Sequence, residues 1–349
     1  AYNEMFKAWR RQRRDSVGFY YVSKPNELTY LDGYGFVTDY PEAAERNALR
    51  KVMNVIGVTM MLLGIIDLLY KYAVPNLLAA FGADIYFDKY TKTFYGNEWL
   101  ILAIDVFFGV IKRLIPLLYV YKKMQMPIKV MIPTRITNRT LFKYAVPVML
   151  FAAGCCIAAS GVYDRILHFV GIEKDKLFDI PDSKAVLVLY LIVHIILIPI
   201  ISEIHTRGAL LQLLRQFGDG FAIVITALLT SLITYNLSTF CYVFVSSLVI
   251  GYFTVRTGSV ITAILMRITM AAVSYGVFMI DEFASEENGG FIVMTVMFVV
   301  LAVGLVSFIK LLIDHSNSFS LNFKGRYLSF TDKCGIIASS IPVVVGFTI

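Results

Sequence analysis

Charged residues are scarce in this sequence. Only 16% of its 349 residues are Asp, Glu, Lys or Arg, whereas 58% are hydrophobic and 14% are aromatic. Soluble domains carry about 25% charged and about 45–50% apolar residues, so the composition excludes a water-soluble globule. Several stretches of about 20 apolar residues follow one another, and each is long enough to cross a hydrocarbon core of about 30 Å as a helix. The sequence therefore predicts a polytopic membrane protein.

Cysteine and histidine are also rare, at four residues each. The cysteines form no C-x-x-C pair and no zinc-ligand spacing, which argues against a disulfide scaffold and a thiolate metal site. Two of the histidines, His168 and His315, fall in predicted loops at opposite faces of the bundle. We therefore expect neither a bound metal nor a cofactor.

The net charge of +7 does not indicate a nucleic-acid partner. The basic residues lie mostly in loops on one side of the predicted helices, where the positive-inside rule places them. We expect the lipid bilayer as the surrounding medium and a membrane protein as a partner. The predicted fold class is all-α, a polytopic bundle of eight or nine transmembrane helices, from the apolar segments 52–74, 99–121, 142–163, 185–205, 221–237, 240–255, 259–280, 291–312 and 335–349.

Loop charges predict the orientation of this bundle. Residues 121–143 contain six basic residues and no acidic one, so we expect this loop and the N-terminus in the cytoplasm. Residues 281–290 contain four acidic residues and are expected outside. The localisation that follows is a multi-pass protein of a bacterial cell membrane.

The chain divides into a cytoplasmic N-terminal extension, 1–47, and a transmembrane domain, 48–349. In the extension, Tyr2, Met5, Phe6 and Trp9 fall on one helical face, and Lys and Arg cover much of the rest. This pattern is typical of a basic amphipathic helix lying in an anionic lipid interface. A frayed basic tail is the alternative.

Two later runs carry a family resemblance. After Leu197 the chain reads IPIISEIHTRGALLQLLRQFGDG, and from Tyr252 it reads YFTVRTGSVITAILMRITMAA. From Pro199 to about Ser274, the order and spacing resemble the CPBP family of intramembrane proteases, also called the Abi or CAAX-protease-like family. The family pattern is Glu-Glu-x-x-x-Arg-Gly, an Arg/aromatic/Gly turn, Phe-x-x-x-His, and a Thr-Gly-Ser turn before His-x-x-x-Asn. The resemblance implies a protease-like helical core over about 185–280.

The chain departs from the family where the resemblance places the chemistry. Glu203, Arg207 and Gly208 keep most of the first motif. The other functional positions hold Ser202 for the first Glu, Asn236 for the first His, Arg267 for the second His and Ala271 for the Asn. Peptide hydrolysis needs a group that accepts a proton near neutral pH and donors aimed at the oxyanion, and serine, asparagine and arginine cannot supply that base.

These departures predict a natural pseudoprotease. In this interpretation the protein is a scaffold or regulator that binds a membrane partner or a lipid in a cytoplasm-facing cavity around Ser202, Glu203, Asn236 and Arg267. One alternative is an active intramembrane peptidase with a rebuilt site, which would use Ser202 and Glu203 with His194 and His205 on either side of them. A small transporter is the second alternative.

Charged residues inside the apolar segments are expected to pair, because an isolated charge in a bilayer is costly. Glu203 and Arg207 stand at i and i+4, which favours an intrahelical ion pair, and Glu203 could also pair with Arg267 across the cavity. A second group is predicted to form an ion-pair network, or else a route for a ligand or protons; its members are Asp67, Lys71, Asp105, Lys112 and Arg113. Within it we expect Asp67 to pair with Lys71, and Asp105 with Lys71 or Lys112.

Overall fold

A computed structural model describes residues 28–31, 35–38, 41–88, 93–171, 180–234, 237–284, 289–314 and 327–348. Within these ranges the chain forms eleven helices and two hairpins of two antiparallel strands. Six of the helices contain a stretch long and apolar enough to cross a membrane. The predicted fold class, a polytopic all-α bundle, is confirmed.

Two short hairpins accompany the helices. Strand β1 (Leu28–Leu31) pairs with β2 (Gly35–Thr38), and strand β3 (Ile85–Asp88) pairs with β4 (Thr93–Gly96). The helices are α1 (41–80), α2 (Glu98–Met124), α3 (Ile128–Met131), α4 (Arg139–Phe169), α5 (Lys184–Phe217), α6 (Asp219–Leu232), α7 (Leu237–Thr257), α8 (Val260–Phe283), α9 (Gly289–Asp314), α10 (Phe330–Ala338) and α11 (Ile341–Thr348).

The six candidate spans lie in α1, α4, α5, α7, α8 and α9. Helix α2 has 27 residues, but three charged side chains interrupt its apolar centre, and α6 has only 14 residues. The last apolar run, predicted as one span over 335–349, is divided between α10 and α11. Helix α10 has nine residues and rises only about 14 Å, so it cannot cross the bilayer by itself.

Helix α1 begins at Pro41, so the domain boundary expected at 47/48 falls inside a continuous helix. In its first turns, the Glu45 carboxylate accepts backbone hydrogen bonds from Tyr327 at 2.8 Å and Leu328 at 3.1 Å. These bonds tie the start of α1 to the segment before α10. The amphipathic helix predicted near the N-terminus lies outside the described residues.

Two prolines in the long helices follow π-helical turns. Pro75 comes two residues after the turn Leu69–Ala73 in α1, and Pro199 comes two residues after Val193–Leu197 in α5. Proline has no N–H, and its ring clashes with the carbonyl four residues earlier. The wider π turn relieves this clash and lets the helix continue. Pro116 and Pro147 lie inside α2 and α4.

The second half of α5 lies at the centre of the bundle. Most of its residues from Glu203 to Leu214 are buried. They pack within a core cluster that also includes residues of α1, α2, α6, α10 and α11. A second core cluster joins α4, α7 and α8. The motif identified from the sequence therefore lies in the buried half of α5.

Candidate functional site

Glu203 and Arg207 form a buried ion pair in α5. The Arg207 Nε lies 3.3 Å from the Glu203 Oε2, and the exposed fractions of the two side chains are 0% and 1%. A third π-helical turn, Ile204–Leu210, contains Arg207. The wider turn changes the helical phase of the residues that it contains.

A second guanidinium approaches the same carboxylate from α8. The Arg267 Nε lies 4.0 Å from the Glu203 Oε1, and the Arg267 side chain is 20% exposed. Its Nη1 also donates to the sulfur of Met270, at 3.2 Å. Glu203 is thus held between two arginines from different helices.

Arg207 also links three helices through hydrogen bonds. Its Nη2 donates to the backbone carbonyl of Ser247 in α7 at 3.0 Å, and its Nη1 donates to Thr206 at 2.9 Å and to Thr230 in α6 at 3.4 Å. Charged hydrogen bonds of this kind contribute about 1.5–3 kcal/mol each when buried. Arg207 therefore has a structural role in addition to its ion pair.

Gly208 permits a close approach between α5 and α3. A Cβ atom at this position would lie 2.5 Å from the backbone oxygen of Met131, which is too close for any other residue. The glycine that follows the arginine in the motif is thus required by backbone packing.

The Thr-Gly-Ser turn between α7 and α8 is held by the segment before α4. Thr137 donates from its N–H and its Oγ1 to the carbonyl of Thr257, at 2.9 and 2.7 Å. Gly258 has φ +70°, a left-handed conformation that favours glycine. Ser259 caps α8, because its Oγ accepts the N–H of Ile261. This turn sets the start of α8, and Arg267 follows about two turns later.

The remaining family positions differ in what surrounds them. Ser202 is half-buried in α5, and its carbonyl accepts the Thr206 hydroxyl at 2.9 Å. Ala271 is half-buried in α8, one turn beyond Arg267. Asn236 lies outside the described residues, so its place in the predicted cavity stays a prediction.

The two histidines proposed for a rebuilt site lie in different surroundings. His205 is buried, and its Nε2 has no hydrogen-bond partner among the described residues. His194 lies about 12 Å from Ser202 along the helix axis. Its Nε2 is instead 3.2 Å from the Asp105 Oδ2 of α2. His194 therefore belongs to a different group from Ser202.

The second predicted group forms between α1, α2 and α5. Asp67 pairs with Lys71 at 2.9 Å and with Lys112 of α2. Asp105, expected to pair with one of those lysines, accepts the Tyr70 hydroxyl at 3.1 Å and contacts His194. This corrects the expectation, and the reason is geometric: Lys112 lies seven residues from Asp105, about 10 Å along the same helix, and Asp67 engages both lysines.

Tyr70 is a functional candidate that sequence reasoning missed. Its ring packs against Phe108 of α2 and, at a centroid distance of 4.9 Å, against Phe94 of β4. The β3–β4 hairpin thereby covers this end of the group. The only signal in the sequence that could have indicated Tyr70 is its position three residues after Asp67, together with its hydroxyl group.

The site has no evident metal centre. The described part of the chain contains no group of three or more His, Cys, Asp or Glu side chains that could hold a metal ion. The described residues of the site offer ion pairing, hydrogen bonding and one imidazole, that of His205.

Comparison with known proteins gives one match. Residues 184–273 match the model of a family described as type II CAAX prenyl endopeptidase Rce1-like. The matched range contains α5, α6 and α7 and the part of α8 that carries Arg267, and it confirms the resemblance indicated by the sequence. No protein of curated function and no solved structure matches the chain.

Proposed function

We propose that this helical membrane protein, which carries an Rce1-like segment at 184–273, is a non-catalytic scaffold or regulator. It binds a membrane partner or a lipid in a cavity that faces the cytoplasm. The main support is the surroundings of Glu203, whose carboxylate lies 3.3 Å from one guanidinium nitrogen and 4.0 Å from another.

This arrangement opposes hydrolysis for a physical reason. A general base must reach a water molecule that is itself close to the substrate carbonyl. The Glu203 side chain is 1% exposed, so neither a peptide nor a water that contacts one can reach it in this conformation. Arg267, at the position where the resemblance places a histidine, is permanently protonated and cannot act as a base.

The retained motif residues favour a packing role. Arg207 joins α5 to α6 and α7, Gly208 brings α5 against α3, and the turn at Gly258 positions α8. These contacts preserve a helical frame without any proton-transfer group. Such a frame can bind a transmembrane segment or a lipid, which is the function proposed here.

The proposal is tested by native mass spectrometry of the chain, purified in a mild detergent from cells that express it at its native level. A membrane protein that remains bound at fixed stoichiometry, and is released by the Arg267→Met variant, is the expected result. If neither the unmodified chain nor the Arg267→Met variant is purified with a bound protein or lipid, the proposed binding function is contradicted.

The cytoplasmic orientation of the site is a separate expectation. Asp219 follows α5 at one end of the bundle, and Phe283 lies exposed at the far end of α8. In a chain otherwise lacking cysteine, Asp219→Cys should resist a membrane-impermeant thiol reagent in intact cells, whereas Phe283→Cys should react. The reverse pattern contradicts the orientation.

One observation favours a second candidate function, an active peptidase with a rebuilt site. His205 is buried three residues after Ser202, and its Nε2 accepts or donates no hydrogen bond within the described residues. An imidazole in this state could accept a proton if the helices opened. His205→Gln removes the basic nitrogen with little change in volume, so loss of any peptidase activity in this variant would favour the second candidate.

A further inference from the structure

A polar cavity of about 170 Å³ lies between α1, α2 and α5. Its polar lining comes from Asp67, Tyr70, Asp105, Lys112, Arg113 and His194, and its apolar wall includes Phe108 and Ile198. A cavity of this size holds several water molecules, so it also admits a small polar molecule or headgroup. Neither Glu203 nor Arg267 lines this cavity, so it is distinct from the site described above.

Both carboxylates in the lining already have partners. Asp67 forms ion pairs with Lys71 and Lys112, and Asp105 accepts the Tyr70 hydroxyl and contacts His194. Neither carboxylate is within ion-pairing distance of Arg113. The partners of both carboxylates are therefore residues other than Arg113.

Arg113 is the cation of the lining that forms no direct ion pair with the described residues. Its Nη1 donates to the backbone carbonyl of Gly109 in its own helix at 2.8 Å, and it forms no ion pair with the described residues. A guanidinium has five N–H donors and a permanent charge, and a charge inside a membrane bundle is costly without a counter-ion. The lining carries two cations, Lys112 and Arg113, and two carboxylates, and Lys112 is the cation that is ion-paired with one of them, Asp67.

We propose that this cavity binds a small anion through Arg113, one that carries a carboxylate or a phosphate group. The planar fork of a guanidinium matches both of these groups in two parallel hydrogen bonds. A single negative charge on the ligand supplies the ion pair that Arg113 lacks among the described residues. Phe108 and Ile198 would contact the non-polar part of the ligand. The same chemistry is offered by a free anion and by the phosphate of a lipid headgroup.

The full chain is stripped of lipid and purified in an uncharged detergent. Binding is then measured by isothermal titration calorimetry with sodium acetate, sodium phosphate and sodium chloride. A fourth titration uses phosphatidylglycerol, whose headgroup has a net negative charge, in mixed micelles, with the zwitterionic phosphatidylcholine as its net-neutral reference. We expect saturable binding of acetate, phosphate or phosphatidylglycerol, and none of chloride or phosphatidylcholine. Binding of only phosphatidylglycerol identifies a lipid headgroup as the source, and binding of acetate or phosphate identifies a free anion.

The matched variants are Arg113→Gln and Arg139→Gln, the second at an exposed position at the start of α4. Arg113→Gln should weaken the binding at least tenfold, and Arg139→Gln should leave it within twofold. Equal weakening in both variants, or no saturable binding of any anion to the unmodified chain, overturns the proposal. If Arg113→Gln does not fold, Arg113→Lys is used in its place. This variant should fold and bind the anion at least threefold more weakly than the unmodified chain. Unchanged binding overturns the proposal.

Discussion

Removing the ion pair between Glu203 and Arg207 is expected to destabilise the protein more than removing any exposed pair. The perturbation is a double-mutant cycle made of Glu203→Gln, Arg207→Met and the double variant. Arg207 also donates to Ser247 and Thr206, but both sides of the cycle lose these bonds and they cancel. The cycle therefore isolates the coupling between the carboxylate and the guanidinium.

The expected coupling energy follows from the distance between the two charges and from the burial of their side chains. At 3.3 Å and an effective dielectric constant of about 20, two unit charges attract by about 5 kcal/mol. Loss of one partner leaves an uncompensated buried charge, which costs about 3–5 kcal/mol. We expect a coupling energy of about 3–5 kcal/mol for Glu203 with Arg207. For Glu203 with Arg267 we expect about 1 kcal/mol, because that contact is 4.0 Å long and one side chain is partly exposed.

The assay is equilibrium unfolding in mixed micelles with a rising fraction of sodium dodecyl sulfate, followed by circular dichroism at the helix band. The control cycle uses Arg215 and Asp219, a pair at 2.8 Å in which the Asp219 side chain is 39% exposed. This pair should couple by less than about 1 kcal/mol. A coupling for Glu203 with Arg207 no larger than that of the control would refute the reasoning.

Two further substitutions test the packing around the site in the same unfolding assay. Gly208→Ala should lower the free energy of unfolding by about 1–3 kcal/mol, because the new methyl group would lie 2.5 Å from the Met131 oxygen. Gly276→Ala, where nothing lies within 4 Å, should leave it unchanged or raise it by up to about 1 kcal/mol, and equal effects of the two would contradict the account. Lys333→Met should lower it by about 1.5–3 kcal/mol, because the buried ammonium group donates to the Phe217 carbonyl at 2.6 Å. A change below 0.5 kcal/mol would show that this bond does not hold α10 in place.

The length and composition of the apolar segments were sufficient to predict the helical fold class, because a bilayer demands long apolar helices. They were not sufficient to predict that the last apolar segment is divided into two helices. There α11 packs against α1 at two glycines: a Cβ at Gly57 would lie 2.5 Å from Pro342, and one at Gly346 would lie 2.7 Å from Met60. Such contacts between distant segments decide where a helix ends, and hydropathy does not contain them.

The site was predictable only where helical spacing holds. Glu203 and Arg207 lie four residues apart, and the structure has them in contact at that spacing. The partners of Asp105 could not be derived in this way, because Tyr70 and His194 lie on two other helices. Helical spacing predicts contacts within one helix and does not contain the contacts between helices.

The most direct test of the proposed non-catalytic function is a peptidase measurement. The purified chain is placed in liposomes with a farnesylated peptide, and cleavage is followed by mass spectrometry beside the Glu203→Gln and His205→Gln variants. The account predicts no cleavage above that of Glu203→Gln, because the Glu203 carboxylate is buried between two arginines. Cleavage by the unmodified chain that either variant abolishes would contradict it and would establish a working site near Ser202.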